Sequence, residues 1–132
     1  EIQQKHGAET IVTAHHQDDV IETMIINILR GTGWRGLCSL SDHDETKRPL
    51  LDWSKASIVN YALEHNLNWR DDSTNDNVRY LRNYVRYRFV QRMSGDERRK
   101  WLALNKQQRL LRSEIDSEVT ELVACIASKD EY

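Results

Sequence analysis

The stretch "ETIVTAHHQDDVIETMIINILR", residues 9–30, changes periodicity at a single turn. Its front end, "ETIVTAHH", has the short β-branched apolar core of a buried strand. Its back end places Val20, Ile21, Met24, Ile25 and Ile28 at helical spacing. A strand that feeds directly into a helix is the building unit of an α/β sheet. Between the two lie His15, His16, Asp18, Asp19 and Glu22. Asp18 or Asp19 suits the N-cap, and Glu22 suits a capping box and the positive end of the helix dipole. The helix runs out in "RGTGWRG", where three glycines permit a tight, irregular loop.

Outward from this unit, elements continue to alternate. "SLSDHDETK" (39–47) reads as a polar surface loop, and Pro49 sets the chain extended at "RPLLDW". Ser54 is a good N-cap, with Trp53 and Ile58 at the spacing of a hydrophobic staple, for a helix over "KASIVNYALEH" that stops at Asn66. "LNWRDDSTNDN" reads as a short extended piece and a turn. From Val78 a helix is expected through "RYLRNYVRYRFVQRM", and Ser94 with Glu97 has the capping-box spacing for one more. That last helix carries Trp101, Leu104, Leu111, Ile115, Val119, Leu122 and Ile126 along one stripe and reads as a packing helix.

The whole chain, at 132 residues with 39% hydrophobic and 30% charged, has the size and balance of one soluble globular domain. It lacks any run of about eighteen apolar residues and any signal-peptide pattern, so a cytoplasmic protein without membrane contact is expected. Cys38 and Cys125 are the only cysteines and form no Cys-x-x-Cys pair. Structural zinc, iron–sulfur clusters and a disulfide framework lack support, and both residues read as buried small hydrophobes. Charge is uneven: residues 1–78 hold seven basic and thirteen acidic side chains, whereas 79–112 hold eleven basic against Asp96 and Glu97. Such a stripe suits a polyanion, nucleic acid above all; an ordinary solvated helix face is the alternative.

The opening turn is a candidate site because ligands of open α/β sheets sit beyond the carboxyl ends of strands, near helix N-termini. Its carboxylates suit Mg²⁺, which takes one or two of them together with substrate phosphates, and its histidines suit phosphate or developing charge. Helix capping alone is the competing explanation. Arg30 joins a cation to the glycine loop, equally readable as a C-cap and turn. Arg79, Arg82 and Arg86 fall at i, i+3 and i+7 on one expected helix face, with Tyr80, Tyr84 and Tyr87 on the neighbouring one. Cations beside aromatics suit a nucleic-acid surface, although such stripes are more often core. Asn75 and Asn83 add polar groups nearby.

Taken in order, "TAHHQDDVIETMIINILRGTGWRGL", "RPLLDWSKASIVNYALEHNLNWRDDSTN" and "YLRNYVR" resemble the tRNA(Ile)-lysidine synthetases of bacteria, over about residues 10–92. The combination of HHxDDxxET, RGTGxxGL, RPLL, WxxDxTN and RNxxR is the specific signal. The first motif alone also occurs in related ATP pyrophosphatases that thiolate tRNA, a reading that the absence of paired cysteines weakens.

The resemblance implies a Rossmann-like parallel sheet with flanking helices, occupying residues 1–92, followed by a helical extension over 93–132. It implies a ligase that uses ATP and Mg²⁺ to adenylate the wobble cytidine of an isoleucine tRNA and then joins L-lysine to it. Carried over residue by residue, His15, His16, Asp18, Asp19 and Glu22 match the family's nucleotide-site turn, and Arg30 its loop arginine. His16, Asp19 and Arg30 become the nucleotide contacts and Asp19 the Mg²⁺ ligand. Asp72, Asn75, Arg79, Arg82, Asn83 and Arg86 become tRNA-binding or site-organising groups. The family's Ser-Gly-Gly-x-Asp-Ser nucleotide loop has no counterpart in these residues. The chain is therefore expected to be the later part of a catalytic domain, inactive alone. A non-catalytic RNA-binding module is the alternative, and a homodimer through the terminal helix stays open.

Overall fold

The computed structural model describes residues 5–38, 40, 46–70 and 79–127. Strand β1 (Ile11–Val12) leads into helix α1 (Gln17–Leu29) and a 3-10 turn (Trp34–Cys38), and strand β2 (Thr46–Lys47) then returns parallel to β1. Ile11 faces Thr46 and Val12 faces Lys47, and the Thr13 N–H donates to the Lys47 carbonyl at 3.0 Å. Helix α2 (Lys55–Glu64), helix α3 (Leu81–Arg88), a 3-10 turn (Val90–Arg92) and helix α4 (Gly95–Ala127) complete the described chain. The α/β class expected from the sequence is the one observed.

Several sequence expectations change: Thr46 and Lys47, expected in a loop, form β2, and "RPLLDW", expected extended, turns back on itself, the Leu51 N–H donating to the Arg48 carbonyl at 3.2 Å and the Trp53 N–H to the Leu50 carbonyl at 3.0 Å. The first strand is not buried: Ile11 is 43% and Val12 68% exposed, because among the described residues β1 pairs only with the two-residue β2. The helix expected from Val78 begins at Leu81 with Tyr80 as its N-cap, so Arg79 precedes it and does not share its face. The apolar stripe of α4 is covered only near its start. Trp101 packs on the core, whereas Val119, Leu122 and Ile126 are exposed by 48%, 63% and 63%. Cys125, on that uncovered stretch, is exposed, while Cys38 is buried.

The core is where α1, α3 and the turn after α3 meet. Ile21, Ile25, Ile26, Val85 and Val90 form it, with Met93, Trp101 and Leu102 packed against it. Each fully buried aliphatic side chain there contributes about 1.5–3 kcal/mol. Val20 and Met24 are buried beside them as the helical spacing indicated, but Ile28 is half exposed and Ile26 takes its place inside.

Local chemistry fixes the two ends of α1. At its C-terminus Gly31 adopts φ +67°, the left-handed conformation that ends helices most cheaply in glycine. Further on, the Asn27 amide donates to the Gly36 carbonyl at 2.7 Å, and a Cβ on Gly36 would lie 2.9 Å from Thr32 Cβ. The glycine-rich loop is thus folded back on the helix. Helix α4 then seats on this loop: the buried Asn105 amide donates to the Leu37 carbonyl at 2.7 Å, and Arg35 pairs with Asp116 at 3.3 Å. Among the described residues, no helix is long and apolar enough to cross a membrane.

Candidate functional site

The chain between β1 and α1 turns at His16, and His16 is the N-cap in place of either aspartate. Its Nδ1 accepts from the Asp18 N–H at 3.2 Å, while its own backbone N–H donates to Asp19 Oδ2 at 2.9 Å. Histidine and aspartate together close a capping box, with Asp19 in the position usually held by glutamate. One residue earlier, His15 Nδ1 and Thr13 Oγ1 are 2.9 Å apart. Gln17 ties the turn to the segment before α2, its N–H donating to the Trp53 carbonyl at 3.1 Å and its side chain to that of Asp52 at 2.8 Å.

With capping assigned to His16 and Asp19, Glu22 is released from the role that the sequence suggested for it. It is completely buried, one turn into α1. A buried carboxylate needs compensation by partners. Arg86 supplies a fork, Nε to Oε1 at 2.6 Å and Nη2 to Oε2 at 3.2 Å. Arg82 adds Nε at 3.3 Å from Oε2 and donates from Nη2 to Thr23 Oγ1 at 2.9 Å. The hydrogen bond to Glu22 raises the Arg86 pKa above its ordinary value, against the opposing effect of burial. This guanidinium stays charged at any pH at which the protein is folded.

Arg86 also reaches within 4.0 Å of Asp19, and Arg98 closes the third side with Nη1 at 2.6 Å from Asp18 Oδ1. Three carboxylates on the first turns of α1 therefore face three guanidiniums, two from α3 and one from α4. The cluster lies past the carboxyl end of β1, on the positive end of the α1 dipole. Formal charge balances, so the site is a pre-paired polar network and not an open acidic pocket. Arg82, 43% exposed, leaves part of its fork to solvent. Such an edge suits a polyanion such as a phosphate chain.

Among the described residues no three His, Cys, Asp or Glu side chains gather as a ready metal site. The donor chemistry agrees: Glu22 has both oxygens bound by arginine, and Asp18 gives one to Arg98. Asp19, with Oδ2 taken by the His16 N–H and Oδ1 no nearer than 4.0 Å to Arg86, retains an oxygen for a cation. That fits Mg²⁺ held by one carboxylate and by substrate phosphates, and does not fit a cation caged by protein alone.

The other sequence candidates separate. Asn83 is buried on α3 between Arg82 and Arg86. Arg30 is exposed and caps the opposite end of α1. Thirteen helical residues put about 20 Å of axis between it and His16. Asp72 and Asn75 lie outside the described residues. The groups that sequence reading missed are Thr23 and Arg98, the latter counted only within the basic run. Complementary spacing, Asp19 and Glu22 against Arg82 and Arg86, was a usable signal for the α1–α3 pairing. Arg98 pairs across 80 residues and leaves no local trace.

Comparison with known proteins finds that the family described as the PP-loop domain matches residues 1–93. The chain is similar to a tRNA(Ile)-lysidine synthase of Wigglesworthia glossinidia brevipalpis, 44% identical over 87 residues, or 62% of this chain and 22% of that relative. One from Porphyromonas gingivalis W83 is 39% identical over 92 residues, 68% of this chain and 20% of the relative. One from Thermotoga maritima is 41% identical over 87 residues, 65% of this chain and 21% of the relative. The chain thus spans about a fifth of the length of these curated relatives.

Proposed function

Because the chain belongs to the PP-loop domain family, we propose that it is part of an ATP-dependent tRNA-modifying ligase that joins L-lysine to the wobble cytidine of an isoleucine tRNA. The name of the relatives supports this substrate, and so does the combination of motifs shared with that enzyme family. The observation that carries the reading is the N-terminus of α1. There Asp18, Asp19 and Glu22 are held by Arg82, Arg86 and Arg98 beyond the end of a parallel strand, where α/β folds bind nucleotides.

In the proposed reaction the cytidine carbonyl oxygen attacks the α-phosphorus of ATP, forming an adenylated base and releasing pyrophosphate. The lysine ε-amine then attacks the activated carbon and expels AMP. Charge at the phosphates is the main demand, and Mg²⁺ supplies neutralisation there when bound. Asp19 is the carboxylate proposed to hold it. Glu22 and Arg86 act as the rigid base of the turn: their pairing keeps the Asp19 main chain and the His16 cap in register. Arg82, whose side chain is 43% exposed, and His16, at the N-terminus of α1, are the groups assigned to the phosphate chain. His15, anchored on Thr13, is assigned to the same edge, and Arg30 to a separate phosphate contact at the far end of α1. Asn83, and with it Asp72, Asn75 and Arg79, are assigned to organising the site or contacting tRNA.

Arg88, Arg92, Lys100, Lys106 and Arg109 are exposed and make no ion pair among the described residues, which suits them to the tRNA backbone. The thiolase alternative has less support: Cys38 lies in the 3-10 turn after α1 and Cys125 near the end of α4, with neither among the groups of the acidic turn. A cytoplasmic location is part of the same proposal, since that is where these substrates would be met. The test is to incubate the full-length protein with isoleucine tRNA, ATP, Mg²⁺ and lysine, and to analyse the nucleosides by mass. Lysidine is the expected product. Unmodified cytidine at the wobble position would overturn the reading.

A further inference from the structure

Arg98 belongs to the first turns of α4, beyond the segment that matches the PP-loop domain, yet it reaches the acidic turn. Its Nη1 donates to Asp18 Oδ1 and its Nη2 to the Val90 carbonyl, both at 2.6 Å. We propose that Arg98 is a positioning residue for the nucleotide turn, so that the long helix forms part of the site. The proposal rests on the functional reading above for what the site does, but not for how the turn is held.

The argument is geometric. A guanidinium is a flat fork, and here its two prongs end on two different elements, α1 and the 3-10 turn after α3. Both charged side chains are largely shielded, Arg98 at 29% and Asp18 at 18% exposure, so the contact is not an incidental surface pair. Asp18 is gripped twice: its N–H by His16 Nδ1 and its carboxylate by Arg98. Asp19 follows it directly, so a turn loosened at Asp18 also shifts the carboxylate proposed to face Mg²⁺. A phosphate-binding role, suggested by the basic run that contains Arg98, sits poorly with a fork directed inward. Its neighbour Arg99 instead pairs with Asp96 on the exposed side of the same helix.

The experiment uses the full-length protein with Arg98→Met, Arg98→Lys and, as control, Arg99→Met. Losing a charge-assisted bond of this kind is expected to speed amide exchange over residues 16–22 about tenfold in Arg98→Met. In the same variant kcat for lysine-dependent pyrophosphate release is expected to fall about tenfold, with KM for ATP changed less than about twofold. Arg98→Lys keeps the charge opposite Asp18 and should recover part of both effects; Arg99→Met should show neither. Unchanged exchange over 16–22 in Arg98→Met would overturn the proposal. Faster exchange spread across the whole domain, with no recovery by lysine, would overturn it too. Absence of lysine-dependent turnover in the unaltered protein would instead count against the functional reading, while the exchange result would still decide the role of Arg98.

Discussion

Arg86 grips both carboxylate oxygens of Glu22, at 2.6 and 3.2 Å, and Glu22 is wholly buried. A fork on a carboxylate with no access to water is a brace, joining α1 to α3 through charge where the surrounding core joins them through apolar contact. Removing Arg86 leaves the buried Glu22 with Arg82 alone, whose Nε lies 3.3 Å from Oε2. Arg86→Met should therefore cost about 3–5 kcal/mol of stability, read from urea unfolding of the full chain. Replacing both, as Glu22→Leu with Arg86→Met, should restore most of that loss without restoring activity. A double variant as unstable as the single one would contradict the brace.

Glu97 tests the start of α4. Its carboxylate accepts from the Ser94 N–H and hydroxyl, both at 2.8 Å, and the backbone bond holds its pKa below the ordinary carboxylate value. A depressed folded pKa means stabilisation that is complete above the unfolded value, about 4.3, and lost as pH falls through the lower folded value. Helicity followed from pH 7 to pH 3 should show this loss in the unaltered chain. In Glu97→Gln that part of the acid dependence should vanish. An identical acid limb in both would contradict the capping box.

Salt dependence separates the cations that face solvent from those that face the acidic turn. Substituting Lys106 and Arg109 by alanine should lower the slope of log affinity for tRNA against log salt by about 0.7–0.9 per residue. A flat salt response in the unaltered protein would mean that the basic run is a solvated face.

The sequence made the α/β unit legible because two periodicities meet at one turn, and Ser54 and Ser94 announced the starts of α2 and α4 through capping. It misplaced the α1 cap because histidine is a rare N-cap beside two aspartates, the stronger cappers by preference. The family resemblance put Glu22, Arg82 and Arg86 among the site groups, but that they bind one another depends on α1 and α3 packing side by side. Val12 read as buried from the β-branched run it belongs to, and Ile126 as packed from its place on the apolar stripe of α4. Burial requires a covering element, and none of the described elements covers them.

The most direct test of the proposed nucleotide turn is lysine- and tRNA-dependent pyrophosphate release by the full-length protein, unaltered and as Asp19→Ala. Loss of a group that organises charge at the phosphates should slow the reaction about a hundredfold or more. The thermal midpoint should move only a few degrees, since Asp19 contributes one capping bond and a 4.0 Å contact with Arg86. A variant that releases pyrophosphate at the unaltered rate would contradict the assignment of this turn to the reaction.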